Sequence, residues 1–226
     1  MSFPFIPILI LGMMMLNWII QDDHHSLLDY LTKPAVIILM LIWIPLETEL
    51  TGTTRWFWLG LLFSLGGDIL LLVPRQGFLP GLGAFSITHL CYLVGLISSF
   101  PPESQLNYLI TLAVTAAGLT LLAITGFFDF RSGDKTYRLP VIIYAGLILS
   151  ASGAALSLNL TPAWGRESFG LITGGMLLFA LSDGLLAWDK FHHPLPRRNF
   201  WVRSSYHSAQ LLIVVGLIHQ SVPGES

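Results

Sequence analysis

Charge and cysteine are what this 226-residue chain has least of. Eleven Lys and Arg and 13 Asp and Glu make up 11% of its residues, where a soluble domain carries about 25%. So small a charged complement excludes a water-soluble globular domain and a disordered tail. A formal net charge of −2 supplies no basic field for a phosphate backbone, which excludes a nucleic-acid partner. The single cysteine, Cys91, excludes a disulfide framework and a cysteine-built zinc site. What is present instead is apolar. Hydrophobic residues make up 54% of the chain, and the mean hydropathy is +0.71. These figures describe a multi-pass integral membrane protein with nearly all of its mass in the bilayer.

A membrane-crossing helix needs about 20 apolar residues. Eight windows qualify: Phe3–Ile20, Leu27–Leu46, Trp56–Val73, Phe78–Ile97, Leu106–Phe128, Leu139–Leu160, Phe169–Trp188 and Phe200–Ile218. The apolar runs are continuous, whereas barrel strands alternate polar and apolar residues. The expected fold is all-α, a polytopic membrane helix bundle with eight transmembrane helices forming one domain over residues 1–226. The connections are too short for an extramembrane domain. The first window lacks a preceding basic residue and a small-residue cleavage pattern, so it reads as a span, not a signal peptide. The second carries Asp29 and Lys33 in its first two turns, and Lys33-Pro34 is expected to open it, since proline suits a first helical turn. Nine of the 11 Lys and Arg fall in odd-numbered connections, and only Arg55 and Arg166 in even ones. By the positive-inside rule both termini are expected on the non-cytoplasmic side. The short loops point to a bacterial inner (cell) membrane.

Ionisable residues inside a span are costly and mark function. The third window holds one, Asp68, and the seventh holds one, Asp183. Each follows a similar Leu-Phe-small-Leu run. At 1.5 Å per helical residue, Asp68 lies about 10 Å inside Arg75, and Asp183 about 10 Å inside Lys190. Gln210 lies about 10 Å beyond Arg203, with Tyr206 one turn shallower, and Tyr144 about 9 Å beyond Arg138. The prolines and glycines between Pro74 and Gly83 suggest that the fourth helix starts near Gly81. That start puts His89 about 12 Å in, with Tyr92 on the same face. Five helices thus send polar side chains to one level, in the cytoplasmic half of the membrane.

Each of these groups also has a plain structural reading. Asp68 and Asp183 can be interhelical hydrogen-bond partners, His89 a packed core histidine, and Gln210 interhelical glue. Tyr92, Tyr144 and Tyr206 can belong to the interfacial aromatic belt, as can Trp56, Trp58, Trp164 and Trp201. Gly66-Gly67 reads as a close-packing step between helices. For zinc, His207 and His219 are twelve residues apart on one helix, about 18 Å. No ligand set with zinc spacing is present, and no metal is expected.

The ordered set of motifs resembles a known family. Ser64-Leu65-Gly66-Gly67-Asp68 looks like its third-span signature, and Phe78, Gly81, Phe85, His89 and Tyr92 resemble its fourth-span pattern. Phe179-Ala180-Leu181-Ser182-Asp183 with Lys190-Phe191 is similar to its Phe-x-x-Ser-Asp signature. Tyr206-x-x-Ala209-Gln210, Lys33-Pro34 and Pro140-x-x-x-Tyr144 fit as well. The family is the YhhN-like lysoplasmalogenases, and the likeness runs from about Lys33 to Ile218. It implies cleavage of the vinyl-ether bond of lysoplasmalogens to a fatty aldehyde and a glycerophospho-choline or -ethanolamine. The implied partners are a lysophospholipid substrate and the surrounding membrane lipid.

Vinyl ethers resist base and hydrolyse by protonation at carbon, through an oxocarbenium ion that water captures. This chemistry needs a proton donor, a nearby negative charge and an oriented water, but no cofactor. Two carboxyls in a low-dielectric site can divide these tasks, much as the carboxyl pair of glycosidases does by analogy. Asp68 and Asp183 are the expected catalytic pair. Lys33, Ser64, His89, Tyr92, Tyr144, Ser182, Tyr206 and Gln210 are the expected substrate-binding residues, with Lys33 and a loop-7 arginine on the phosphate. A transporter using its intramembrane acids is the competing class. It is disfavoured because the polar groups cluster at one depth and do not line a path across the bilayer. A lipid-binding scaffold without turnover gives two buried acids no task.

Overall fold

A computed structural model describes residues 5–19, 27–72, 77–129 and 135–221, with the side chains of residues 27–30 and 135 left aside. Among the described residues there are eight α-helices and no strand. They are α1 (Phe5–Ile19), α2 (Leu27–Glu47), α3 (Gly52–Leu71), α4 (Phe78–Ile97), α5 (Gln105–Ile124), α6 (Arg138–Ser157), α7 (Arg166–Phe191) and α8 (Arg198–Ser221). A 3₁₀ turn precedes α6 (Lys135–Tyr137), and another follows it (Leu158–Leu160).

Four helices are long and apolar enough to cross a membrane: α4, α5, α6 with its 3₁₀ continuation, and α7. α1 is apolar apart from Asn17 but has only 15 residues. The helices that supply most of the polar site pay in hydropathy: α3 carries Arg55, Ser64 and Asp68, and α8 opens with Arg198-Asn199 and continues through Arg203 to Gln210.

Sequential helices pair as hairpins, most closely α7 with α8 and α3 with α4, then α5 with α6 and α1 with α2. α4 and α7 also pack on α6, and α2 packs on α8, which closes the bundle. The core between them holds Ile37, Met40, Phe57, Leu61, Leu96, Ile172, Met176 and Phe179, all buried. Outward faces are as apolar as the core. Leu106, Leu109, Leu112, Leu121 and Ile124 of α5 and Ile8, Leu9 and Met15 of α1 are exposed, as lipid contact requires and water would penalise. Side-chain-to-backbone bonds stitch neighbouring helices: Trp58 Nε1 donates to the Leu41 carbonyl (3.0 Å) and Thr173 Oγ1 to the Ala155 carbonyl (3.0 Å).

Two helix starts differ from the sequence expectation. α2 begins at Leu27, so Lys33-Pro34 does not open it: Pro34 is interior, and Lys33 lies in the second turn. α4 begins at Phe78, not near Gly81. Pro80 is its third residue, and helix N-terminal N–H groups have no intrahelical partner, so the missing donor costs nothing there. The Gly81 N–H makes the first helical bond, 2.8 Å to the Gly77 carbonyl.

Close approach of α3 to α4 depends on glycine, most tightly at two positions of α3. A Cβ on Gly60 would lie 2.4 Å from the Tyr92 ring, and one on Gly67 would lie 2.6 Å from the Phe85 ring. Gly66, its neighbour, faces open space. Of the Gly66-Gly67 pair, only the second is a packing glycine.

Candidate active site

Asp68 is 1% exposed, one turn from the end of α3. Lys33 Nζ of α2 lies 2.9 Å from its Oδ1, and the Tyr206 hydroxyl of α8 donates to its Oδ2 at 2.8 Å. From Tyr206 a hydrogen-bonded chain continues across the bundle. The Tyr206 and Ser64 hydroxyls are 2.7 Å apart, Gln210 Nε2 donates to Ser64 Oγ at 2.8 Å, and the Tyr92 hydroxyl donates to Gln210 Oε1 at 2.8 Å. Every member is buried. A buried polar group without a partner is costly, so a fully joined chain of this kind fixes the relative register of α3, α4 and α8.

Asp183 of α7 belongs to a second group. The Tyr144 hydroxyl of α6 donates to its Oδ2, and His89 Nε2 of α4 lies 3.1 Å from the Tyr144 hydroxyl and 3.8 Å from Asp183 Oδ2. Aromatic contacts link the two groups. Phe85, Phe179 and Tyr206 meet edge to face at 5.3–6.2 Å, and His89 packs on Phe179 at 4.6 Å. The two carboxyls belong to different groups and share no hydrogen bond.

The two acids differ in what they face. Asp183, whose side chain is 15% exposed, lines two cavities that share Val141, Tyr144 and Ala187. One is a narrow pocket of about 30 Å³ bounded by Leu71, Phe78, Phe85 and Phe191. The other is an apolar groove of about 220 Å³ between α5, α6 and α7. A third cavity, of about 450 Å³, shares Leu71, Phe78 and Leu186 with the narrow pocket, and Lys33, Lys190, Arg198 and Arg203 converge on it. Asp68 lines none of the three but grips Lys33, which lines the third.

The cation-lined cavity is braced at its rim. Arg198 Nε lies 3.0 Å from Asp189 Oδ2, while the Leu195 N–H donates to Asp189 Oδ1 at 2.9 Å. Lys190 Nζ sits over the Phe78 ring at 4.2 Å, with Tyr137 and Phe191 at 5.5 and 5.9 Å, a cation–π seat that limits where it can point.

Of the sequence-predicted residues, Lys33, Ser64, Tyr92, Tyr206 and Gln210 assemble around Asp68, and His89 and Tyr144 around Asp183. Ser182 joins neither group: its Oγ donates to the Val202 carbonyl at 2.9 Å and ties α7 to α8. Sequence reasoning missed the ring contacts of Phe85 and Phe179 with Tyr206, and the brace at Asp189. The spacing of Asp189 to Lys190 and Arg198 around a short connection was a usable signal for the brace. Among the described residues no three His, Cys, Asp or Glu are placed to hold one metal ion.

The chain is similar to known proteins along most of its length. The chain is 29% identical over 206 residues to Lysoplasmalogenase TMEM86B of Homo sapiens, covering 90% of this chain and 81% of the relative. It is 32% identical over 214 residues to Lysoplasmalogenase TMEM86B of Mus musculus, covering 93% and 84%. It is 28% identical over 201 residues to the Lysoplasmalogenase of Mycobacterium bovis, covering 85% and 71%. No solved structure matches the chain. The YhhN family model matches residues 28–217, a stretch that contains every residue of both hydrogen-bonded groups, and the chain belongs to the YhhN family.

Proposed function

We propose that the chain is a lysoplasmalogenase that hydrolyses the vinyl-ether bond of a lysoplasmalogen, giving a fatty aldehyde and a glycerophospho-choline or -ethanolamine. The reading includes eight membrane-crossing helices, both termini on the non-cytoplasmic side of a cell inner membrane, and the site in the cytoplasmic half. The observation that carries it is the position of Asp183. It lines the narrow pocket and the apolar groove, and the narrow pocket adjoins the cation-lined cavity through Leu71, Phe78 and Leu186. A lysolipid has the same order of parts: an anionic phosphate, a short reactive neck and a hydrocarbon chain. The names of the relatives support the same reaction.

In this reading the two acids have unequal roles. Asp183 touches the substrate. It delivers its proton to the vinyl carbon that becomes the aldehyde's α-carbon, which leaves an oxocarbenium ion beside the new carboxylate. Water adds to the cationic carbon and gives a proton back to Asp183. The hemiacetal then collapses: its C–O bond to the glycerol oxygen breaks, that oxygen gains a proton, and the hemiacetal hydroxyl loses one. Tyr144 and His89 hold Asp183 and pass protons within hydrogen-bond reach. Asp68 is a positioning residue. Its carboxylate fixes Lys33 toward the phosphate and, through Tyr206, holds the wall of the narrow pocket, while its negative charge favours the cation at a distance in a low-dielectric surround.

The test is an aldehyde-coupled assay of the purified protein in detergent, with a saturated lysophospholipid as control. Aldehyde release from the lysoplasmalogen alone is expected, and Asp183→Asn should lower kcat by about 10²–10⁴-fold, the usual contribution of a general acid. Equal cleavage of the control points to an ester hydrolase, and wild-type turnover by folded Asp183→Asn removes the acid role.

A further inference from the structure

We infer that the apolar groove between α5, α6 and α7 seats the substrate's hydrocarbon chain and selects its length. The inference rests on the lysoplasmalogenase reading and adds to it the place of the chain and the residues that measure it.

The groove exists because α7 presents small side chains to it. Ala180, Gly184 and Ala187 repeat at helical spacing on one face, and all three line the cavity. A Cβ on Gly184 would meet nothing within 4 Å. Leu149 of α6 and Gly118 of α5 form the opposite wall, where a Cβ on Gly118 would strike the Leu149 side chain at 2.8 Å. The groove is therefore a space left open by α7 beside the close contact of α5 with α6.

Continuity with the polar site identifies the occupant. Asp183 and Tyr144 line both the groove and the narrow pocket. A chain attached to the carbon that Asp183 protonates must leave the acid through an apolar exit, and the groove is apolar and begins there. Its direction follows from the cations. Lys190 lies two turns beyond Asp183 toward the end of α7, whereas Ala180 lies about one turn the other way. With the phosphate at Lys190 and its neighbours, the chain runs from Asp183 toward Ala180 and Leu149.

The source of selectivity also follows. The chain arrives from a hydrocarbon environment, so moving it into the groove gains little by desolvation. Preference must come from whether the chain fits between Ala180 and Leu149, and a pocket mismatch of this kind changes kcat/KM by about tenfold or more.

The experiment compares kcat/KM of the full-length protein on lysoplasmalogens with a short and a long alkenyl chain. Ala180→Phe fills the far end and should lower the long-to-short ratio by about tenfold or more. Leu149→Ala opens the same wall and should move the ratio the opposite way, which a general loss of folding cannot do. Aldehyde release with the wild-type length profile in both variants overturns the inference alone and leaves the groove to a bilayer lipid tail. Absence of release by the wild-type protein from every chain overturns the lysoplasmalogenase reading, and this inference with it.

Discussion

Lys33 Nζ lies 2.9 Å from Asp68 Oδ1, joining α2 to α3 in a setting where Asp68 is 1% exposed. Each charge alone would be costly at this depth. Together they compensate one another, and the other carboxylate oxygen is satisfied by Tyr206. The pair thus carries two loads: it makes a carboxylate tolerable inside the bundle, and it aims an ammonium at the cation-lined cavity.

Breaking that pair from one side should cost more than removing it whole. Lys33→Met leaves Asp68 buried and unpaired, and the expected destabilisation is about 3–5 kcal/mol. Adding Asp68→Asn should recover a large part of it. Thermal unfolding in detergent of the two single variants and the double variant measures the coupling. A Lys33→Met protein as stable as wild type would contradict the pairing.

Arg198 tests the phosphate reading separately from stability. Its ion pair with Asp189 is partly exposed, and such pairs contribute about 0–1 kcal/mol, so Arg198→Met should fold nearly as well as wild type. If Arg198 binds the phosphate, KM should rise about tenfold or more while kcat stays close to wild type, because an interaction equal in ground and transition states has been removed. A fall in kcat at constant KM would place Arg198 in the chemical step.

The two glycines before Asp68 should respond oppositely. Gly67→Ala drives a Cβ to 2.6 Å from the Phe85 ring, and overpacking of this kind costs about 1–3 kcal/mol. It should also lower turnover, since Phe85 bounds the narrow pocket. Gly66→Ala meets open space and should be neutral or stabilising by up to about 1 kcal/mol through helix propensity. Unfolding temperatures of the two variants decide this.

His207 is fully buried beside Tyr206, and neither ring nitrogen finds a hydrogen-bond partner among the described residues. Replacing an unsatisfied buried polar group by an apolar one of similar size removes a desolvation cost of about 1–3 kcal/mol. His207→Leu should therefore raise the unfolding temperature. A lowered one would reveal a partner for the imidazole, and activity with the variant would show whether that partner serves the site.

Much of the site is legible in the amino-acid sequence. Asp68 and Asp183 are the only acids within otherwise apolar windows, and the cost of an intramembrane carboxyl singles them out whatever the fold. Residue counts from flanking cations placed Tyr144, Tyr206 and Gln210 at the same level, because helical rise is constant. Ser182 enters with the Phe-x-x-Ser-Asp likeness, but neighbours on a helix diverge by about 100°, and its hydroxyl turns to Val202. Lys33-Pro34 misled about the start of α2 because a proline's local preference was overridden by the helical turn before it.

By itself the sequence determined an all-helical membrane chain with two acids inside apolar segments, since hydropathy and charge spacing act locally along the polypeptide. Only the tertiary structure decided that Asp68 faces Lys33 and a closed hydrogen-bonded chain, whereas Asp183 faces the cavities. That difference depends on how the helices rotate and cross, and on three aromatic rings from α4, α7 and α8 meeting edge to face. Helix rotation is set by packing among residues far apart in the chain, and no local pattern encodes it.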